Sequence, residues 1–297
     1  SWLGADAVQG KSFSQQIPTG QNDVRFSFGM PYMQTKLEAF LQRHGGNPAL
    51  RKDTLCRTRA GRDVELLHLG KLKGTPDHRV LLTCRHHCCE MMASYALEGI
   101  MDTILGDSDD GAWFREHAEF LVVPFADKDG VEQGDQGKNR KPRDHNRDYD
   151  GDSIYASTAA LRRHVPEWAG NRLRFAMDMH CPHIRGPSNE VIYFVGMEDP
   201  GRWARTQQFS QILETTNPGL LPYSAANNLP YGQGWNVARN YGGGMSCSRW
   251  AGSLPGIRFA ASLEIPYANA GGQPVTQTSA HAFGKALAHA IRAFLEE

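Results

Sequence analysis

The stretch from His78 to Gly99, HRVLLTCRHHCCEMMASYALEG, changes character twice. It opens with HRVLLTC, a short apolar run of the kind that forms a strand buried on both faces. From about Glu90 to Leu105 the pattern becomes helical. Between the two, His86, His87, Cys88, Cys89 and Glu90 crowd chemistry-bearing side chains into one turn. A buried strand running into a helix is the repeating unit of α/β folds with a mostly parallel sheet. Ligands in such sheets bind at the carboxyl ends of the strands, so this turn is where a site is expected.

The same alternation continues on either side. PYMQTKLEAFLQRHGG (31–46) predicts a helix with Leu37, Phe40 and Leu41 on its apolar stripe, stopped by Gly45 and Gly46. TLCRTRAGRDVELLHLG (54–70) predicts a hairpin turning at Ala60-Gly61. Further strands are expected in DVRFSFG (23–29), EFLVVPFA (119–126), RFAMDMH (174–180), EVIYFVG (190–196) and GIRFAASLEIP (256–266). Helices are expected in the first part of STAALRRHVPEW (157–168) and across RWARTQQFSQILETT (202–216). The final segment places Phe283, Leu287, Ile291 and Phe294 at helical spacing. Three of the strands end on polar residues, at 85–90, 178–183 and Glu264.

The 297 residues allow one large domain or two smaller ones, and 40% apolar content is that of a globular protein. The 32 basic and 32 acidic residues cancel, which argues against nucleic acid or an anionic membrane as the main partner. No run approaches the ~20 apolar residues that span a bilayer. The opening SWLGADAVQG lacks a signal-peptide pattern and an initiator Met, so a piece of a longer chain is expected. Cys56, Cys84, Cys88, Cys89, Cys181 and Cys247 are poorly laid out for a disulfide framework, which favours a reducing compartment, the cytoplasm.

A catalytic zinc site commonly has three protein ligands and an open fourth position. His87 with Glu90, or His86 with Glu90, can face one side of a turn. His180 is the natural third ligand, with His183 in reserve. A thiolate site on Cys84, Cys88, Cys89 and Cys181 is the rival, though these thiols read more simply as small buried hydrophobes. Glu264 lies in ASLEIPY, where an unpaired carboxylate would be costly, and this favours a site role.

Taken in order, these segments resemble the zinc carboxypeptidases of the carboxypeptidase A type, in their cytosolic branch. TCRHHCCEMMASYALEG resembles the His-x-x-Glu metal segment, and MDMHCPH the Asp-x-His segment with the third ligand. RDHNRDY resembles the Asp-x-Asn-Arg motif, and ASLEIPY the strand carrying a catalytic Glu. VVPFADKDGV resembles a Pro-x-x-Asn-Pro-Asp-Gly-Val run, with Asp127-Lys128 in place of Asn-Pro. PYMQTKLEAFLQ and LCRTRAGRDVELLHLG resemble the opening helix and first hairpin of that branch's catalytic domain. The match runs from Pro31 over nearly the whole remaining chain.

The resemblance implies a mixed, largely parallel eight-stranded sheet flanked by helices, with residues 31–297 as the catalytic domain. Residues 1–30 would be the tail of a preceding β-sandwich domain. One Zn²⁺ would be bound by His87, Glu90 and His180, with Glu264 as general base. Arg140, favoured over Arg143, would stabilise the oxyanion, leaving Lys138 and Lys141 in a solvated basic loop. Asn146 and Arg147 would grip a substrate's C-terminal carboxylate, for which the planar guanidinium fork is suited. Asp144 would fix the tautomer of the first zinc-binding His. Asp178 is left with a structural role as its alternative.

Arg249 lies near the position that sets side-chain preference, where a cation favours a C-terminal Glu or Asp. Tyr241, His183, Arg185 and Trp235 are further pocket candidates. The implied activity is removal of C-terminal residues from peptides or proteins. Two alternatives stand beside it: an amidohydrolase of the same fold cutting small N-acyl amino acids, resembling the succinylglutamate desuccinylase and aspartoacylase group, and a zinc- or peptide-binding module without catalysis.

Overall fold

A computed structural model describes residues 7–22, 24, 26–217 and 219–297. Its centre is a seven-stranded mixed sheet built from β3 (Leu50–Arg57), β4 (Asp63–Gly70), β5 (His78–Cys84), β6 (Ala118–Val123), β7 (Leu173–His180), β8 (Tyr193–Val195) and β9 (Phe259–Glu264). The spatial order is β3-β4-β6-β5-β7-β9-β8. Four adjacent strands, β6, β5, β7 and β9, run parallel, while β4 pairs antiparallel with both β6 and the edge strand β3, and the other edge strand β8 pairs antiparallel with β9. The resemblance implied eight strands; seven join this sheet among the described residues. Two short hairpins lie apart from it, β1 (Val8–Gln9) with β2 (Ser12–Phe13) and β10 (Asn269–Ala270) with β11 (Gln273–Pro274).

The hairpin expected at Ala60-Gly61 is present, with Gly61 at φ +77 in its turn. Of the run expected as a strand at 23–29, residues 23 and 25 lie outside the described residues, and the remainder form no strand. Among the described residues the α-helices are α1 (Gln34–Arg43), α2 (Met91–Leu105), α3 (Asp109–His117), α4 (Lys128–Gln133), α5 (Ala156–Ala169), α6 (Pro200–Thr216), α7 (Cys247–Gly252) and α8 (Gln277–Glu296). α5 runs through Pro166 rather than ending before it.

Strand alternation decides what each face of the sheet carries. Val80, Leu82 and Cys84, Phe120 and Val122, Phe175, Met177 and Met179, and Phe259, Ala261 and Leu263 all join one apolar layer with α1, α2, α3, α6 and α8. The opposite parity carries Leu81, Leu121, Ala176 and Ala260, which pack against α5 and α7. Continuing that second parity toward the carboxyl ends gives Thr83, Asp178, His180, Ser262 and Glu264. The polar residues of three adjacent strands are therefore brought to one face and one end.

α2 is buried on nearly every side, as a helix held between a sheet and another helix must be. It crosses α8 with glycine facing glycine. A Cβ at Gly99 would stand 2.0 Å from the His281 carbonyl oxygen, and one at Gly284 would stand 2.0 Å from that of Ala96. Gly99→Ala gains about 1 kcal/mol of helix propensity. The clash is with backbone, which cannot swing aside, and overpacking of this kind costs about 1–3 kcal/mol or more. A net loss is expected, seen as a fall of several degrees in Tm by thermal denaturation. An unchanged or raised Tm would contradict the packing described.

Candidate active site

At the end of β5 the chain turns sharply at Arg85, a non-glycine residue at φ +62. Its buried guanidinium holds the following turn together. Nε donates to the Cys88 carbonyl at 2.8 Å, and Nη1 donates to the Tyr32 carbonyl at 2.8 Å and to Ser94 Oγ at 3.1 Å. The turn so fixed presents His87 and Glu90 into a cleft at the carboxyl end of the sheet, where Glu90 is the residue just before α2. His180 enters from the end of β7 and Glu264 from the end of β9, directly paired in register.

The ring Nδ1 atoms of His87 and His180 both meet the Glu90 carboxylate, at 3.0 Å to Oε1 and 2.6 Å to Oε2. One ligand atom from each of the three residues lies within 4.8 Å of the others. The remote Nε2 of each ring faces a second carboxylate, Asp144 Oδ1 at 3.7 Å for His87 and Asp178 Oδ2 at 2.6 Å for His180. Two imidazoles and a carboxylate converging with their backs held in this way make a donor set suited to zinc.

Among the described residues, two other groups have metal-ligating side chains in reach of one another. His86, Asp178 and Cys247 form the first. Both ring nitrogens of His86 are already engaged there, Nδ1 with Asp178 Oδ1 at 2.7 Å and Nε2 with the Tyr149 hydroxyl at 2.6 Å. His86 is fully buried and does not line the cleft, which separates the two alternatives the spacing left open. The other group, Glu98, Asp102 and His281, joins α2 to α8, and Glu98 is occupied by Arg43 at 2.6 Å and the Tyr32 hydroxyl at 2.6 Å. The six cysteines are unpaired thiols, and Cys84, Cys88, Cys89 and Cys181 are buried, with burial pushing Cys84 up to about 12, so the expected role as small buried hydrophobes fits these four.

The two carboxylates that share the cleft sit in opposite electrostatic environments. Burial alone would raise the pKa of Glu90, but Lys138, His87 and His180 hold it well below the usual carboxylate range. Glu264 is raised, by burial and by the charge of Glu90, against the opposing pull of His180 and Lys138. Its Oε2 is buried without a hydrogen-bond partner. Neighbouring carboxylates pushed apart in this way can divide an ionised ligand from a group that exchanges protons. Asp144 is lowered to about 2, because His87, the charge of Arg147 and the Asn139 N–H together outweigh its burial.

The cleft also brings in Asn146, Arg147, Tyr241, Arg249, Trp235 and His183. Arg147 is positioned by its own Nη1 on the Asn146 carbonyl at 2.8 Å and its Nε on the Asn240 carbonyl at 3.1 Å. Arg249 stacks on Tyr241, 3.7 Å from the ring centre, and its Nη2 is buried without a hydrogen-bond partner. Tyr241 is tethered by its hydroxyl to Asn236 Oδ1 at 2.7 Å. Arg185 is exposed and does not line the cleft.

One expected role is displaced. Arg140 does not reach the cleft, because its Nη2 is held by Asp127 at 2.7 Å and Asp135 at 3.0 Å, in a separate hollow beside His145 and Tyr155. Arg143 is held by Asp148 at 2.6 Å. Lys138, expected in a solvated loop, enters the cleft instead and meets Glu90 Oε1 at 2.8 Å. Asp178 is the centre of a buried network. Thr83 Oγ1 at 2.7 Å, His86 and His180 all converge on it, and only strand register reveals that convergence.

No family model matches the chain. Cytosolic carboxypeptidase 2 of Macaca fascicularis is 33% identical over 227 residues, covering 71% of this chain and 26% of the relative. Cytosolic carboxypeptidase 3 of Mus musculus is 26% identical over 272 residues, covering 85% and 25%. The chain belongs to the zinc carboxypeptidase family, in its cytosolic branch. It spans about a quarter of the length of these curated relatives. Among solved structures, a metallo-carboxypeptidase from Burkholderia cenocepacia superposes with a TM-score of 0.74 at 20% identity, over 91% of this chain and 70% of that one. This likeness establishes the zinc carboxypeptidase fold.

If Asp178 orients His180 toward a metal, Asp178→Asn lowers zinc affinity roughly 10- to 100-fold with the fold retained. Chelator competition with circular dichroism as the control measures this. Unchanged affinity would assign Asp178 to structure alone.

Proposed function

We propose that this chain is the catalytic domain of a zinc carboxypeptidase that removes single residues from free C-termini, with a preference for an acidic last residue. The observation that carries the proposal is the meeting of two imidazole Nδ1 atoms on the Glu90 carboxylate, in the same cleft as Glu264 and Arg147. His87, Glu90 and His180 would hold one zinc ion. When bound, zinc lowers the pKa of water to about 7 and polarises a carbonyl.

The chain's own groups do the rest. Asn146 and Arg147 take the terminal carboxylate, and its charge is what ties cleavage to the chain end. Glu264 accepts the water's proton as the water oxygen bonds to the scissile carbonyl carbon. It then delivers that proton to the amide nitrogen as the C–N bond breaks. The raised pKa of Glu264 suits this exchange, since a more basic carboxylate takes the proton more readily.

The pocket beyond is polar. Ser248 Oγ lies 2.9 Å from Ser262 Oγ and 3.4 Å from Ser246 Oγ, beside the Arg249 guanidinium, and this supports an acidic side chain there. Free thiols throughout fit a reducing compartment, the cytoplasm, and no helix among the described residues is long and apolar enough to cross a membrane.

The test is a set of peptides differing only in the last residue, Glu, Lys or Phe, each with a free or amidated C-terminus, followed by mass spectrometry. Release of Glu is expected to dominate, to require the free carboxylate and to stop with a chelator. Release of Lys or Phe instead would remove the acidic preference and keep the class. Faster hydrolysis of an N-acetyl amino acid than of any peptide would overturn it. Glu264→Gln is expected to keep zinc and lose roughly 10²- to 10⁴-fold in kcat. Arg147→Ala should chiefly raise KM for free C-termini.

A further inference from the structure

The addition of water to an amide turns its carbonyl oxygen into an oxyanion, and a cation beside that oxygen is a large source of rate. The arginines expected to supply it are committed elsewhere, Arg140 to Asp127 and Asp135 and Arg143 to Asp148. Resting on the function proposed above, we propose that Lys138 is the catalytic cation that stabilises this oxyanion. An ammonium thus takes a place where the motif pattern suggested a guanidinium.

Three observations carry the assignment. First, Lys138 lines the cleft and touches the candidate metal ligand Glu90. Its Nζ lies 2.8 Å from Glu90 Oε1 and donates to the Cys181 carbonyl at 3.1 Å. An ammonium has three N–H donors, so two are engaged and one is left for a group entering the cleft. Second, the side chain is only 11% exposed, in a cleft shared with Glu264, where a charge acts with little screening. The other cleft cations, Arg147 and Arg249, are engaged with Asn240, Asn146 and Tyr241 and have the substrate's terminal carboxylate and side chain to bind.

Third, the loop bearing Lys138 is fastened to the turn that bears His87. Cys89 N donates to the Gln136 carbonyl at 3.4 Å, and Cys88 Sγ to the Asp135 carbonyl at 3.0 Å. Gly137 sits at φ +85 so close to this turn that a Cβ would stand 2.6 Å from Cys88 N. Asn139 N donates to Asp144 Oδ2 at 3.1 Å, the carboxylate that also faces His87. The position of Lys138 is therefore set by the same bonds that set the candidate ligands, as preorganised charge stabilisation requires.

The test compares zinc-loaded wild type, Lys138→Gln, Lys138→Arg and Arg140→Gln. Three quantities are read: steady-state kinetics on the best peptide, zinc affinity by chelator competition, and calorimetric binding of a phosphinic peptide, whose tetrahedral anion mimics the adduct. Lys138→Gln is expected to lose roughly 10²- to 10³-fold in kcat. Phosphinic-peptide affinity should fall by a comparable factor, while KM and zinc affinity stay within about threefold. Lys138→Arg should recover part of the loss, and Arg140→Gln should match wild type.

A tenfold or greater loss of zinc affinity that accounts for the lost activity would make Lys138 a partner of Glu90 only and overturn the assignment. So would an unchanged kcat in Lys138→Gln, or the loss appearing in Arg140→Gln. A wild-type chain that neither cleaves the peptides nor binds the phosphinic peptide overturns the proposed function together with this assignment. A wild type that does both, with Lys138→Gln its equal, overturns this assignment alone.

Discussion

A carboxylate buried as deeply as Glu90 costs several kcal/mol to keep ionised unless positive charge and hydrogen bonds surround it. Three groups supply this surround from three parts of the chain: His87 from the turn after β5, His180 from the end of β7, and Lys138 from the loop after α4. Removing one member of such a set leaves the others uncompensated, which is why breaking buried ion pairs commonly costs about 3–5 kcal/mol. The segments that meet in the candidate site are thus also those that must come together for Glu90 to be buried.

Around this centre the charges are layered. Asp144 and Asp178 stand behind the two imidazoles and leave both Nδ1 atoms facing Glu90. His86 stands behind Asp178, and Asp178 raises its pKa to about 9 in spite of burial. Tyr149 closes the chain of contacts behind His86. A buried network of this kind is strong when every member is satisfied and costly when one is not. It is anchored on β5 and β7, two neighbouring parallel strands whose register places Thr83 opposite Asp178. Strand pairing therefore sets the positions of Asp178, His180 and Glu264, while loops supply Lys138 and Asp144.

The fold was legible because its signals are local and repeated. Apolar runs separated by helical periodicity identify buried strands, and the strands β5, β6, β7 and β9 appear where those runs lie. The short helix α3 and the single turns of α4 and α7 carry too few residues to show a period, and they were not legible. Pro166 suggested a helix end, yet α5 continues across it, with apolar contacts at Leu161, Val165 and Ala169 on the sheet. Here burial outweighed the local cost of a missing donor.

His87, Glu90, His180, Glu264, Asn146 and Arg147 could be chosen from the sequence because each sits in a short motif, and those motifs are tied to strand ends. The sequence by itself determined the order of the long helices and buried strands and the residue types available at the carboxyl ends of those strands. Only the tertiary structure shows that both ring nitrogens of His86 are engaged while His87 lines the cleft. It also decided which cation of the 138–143 loop faces Glu90. Periodicity along a chain fixes direction in strands and helices, but a loop has no period. Which of its side chains points inward depends on carboxylates that are distant in sequence, and Asp127, Asp135 and Asp148 claimed the arginines.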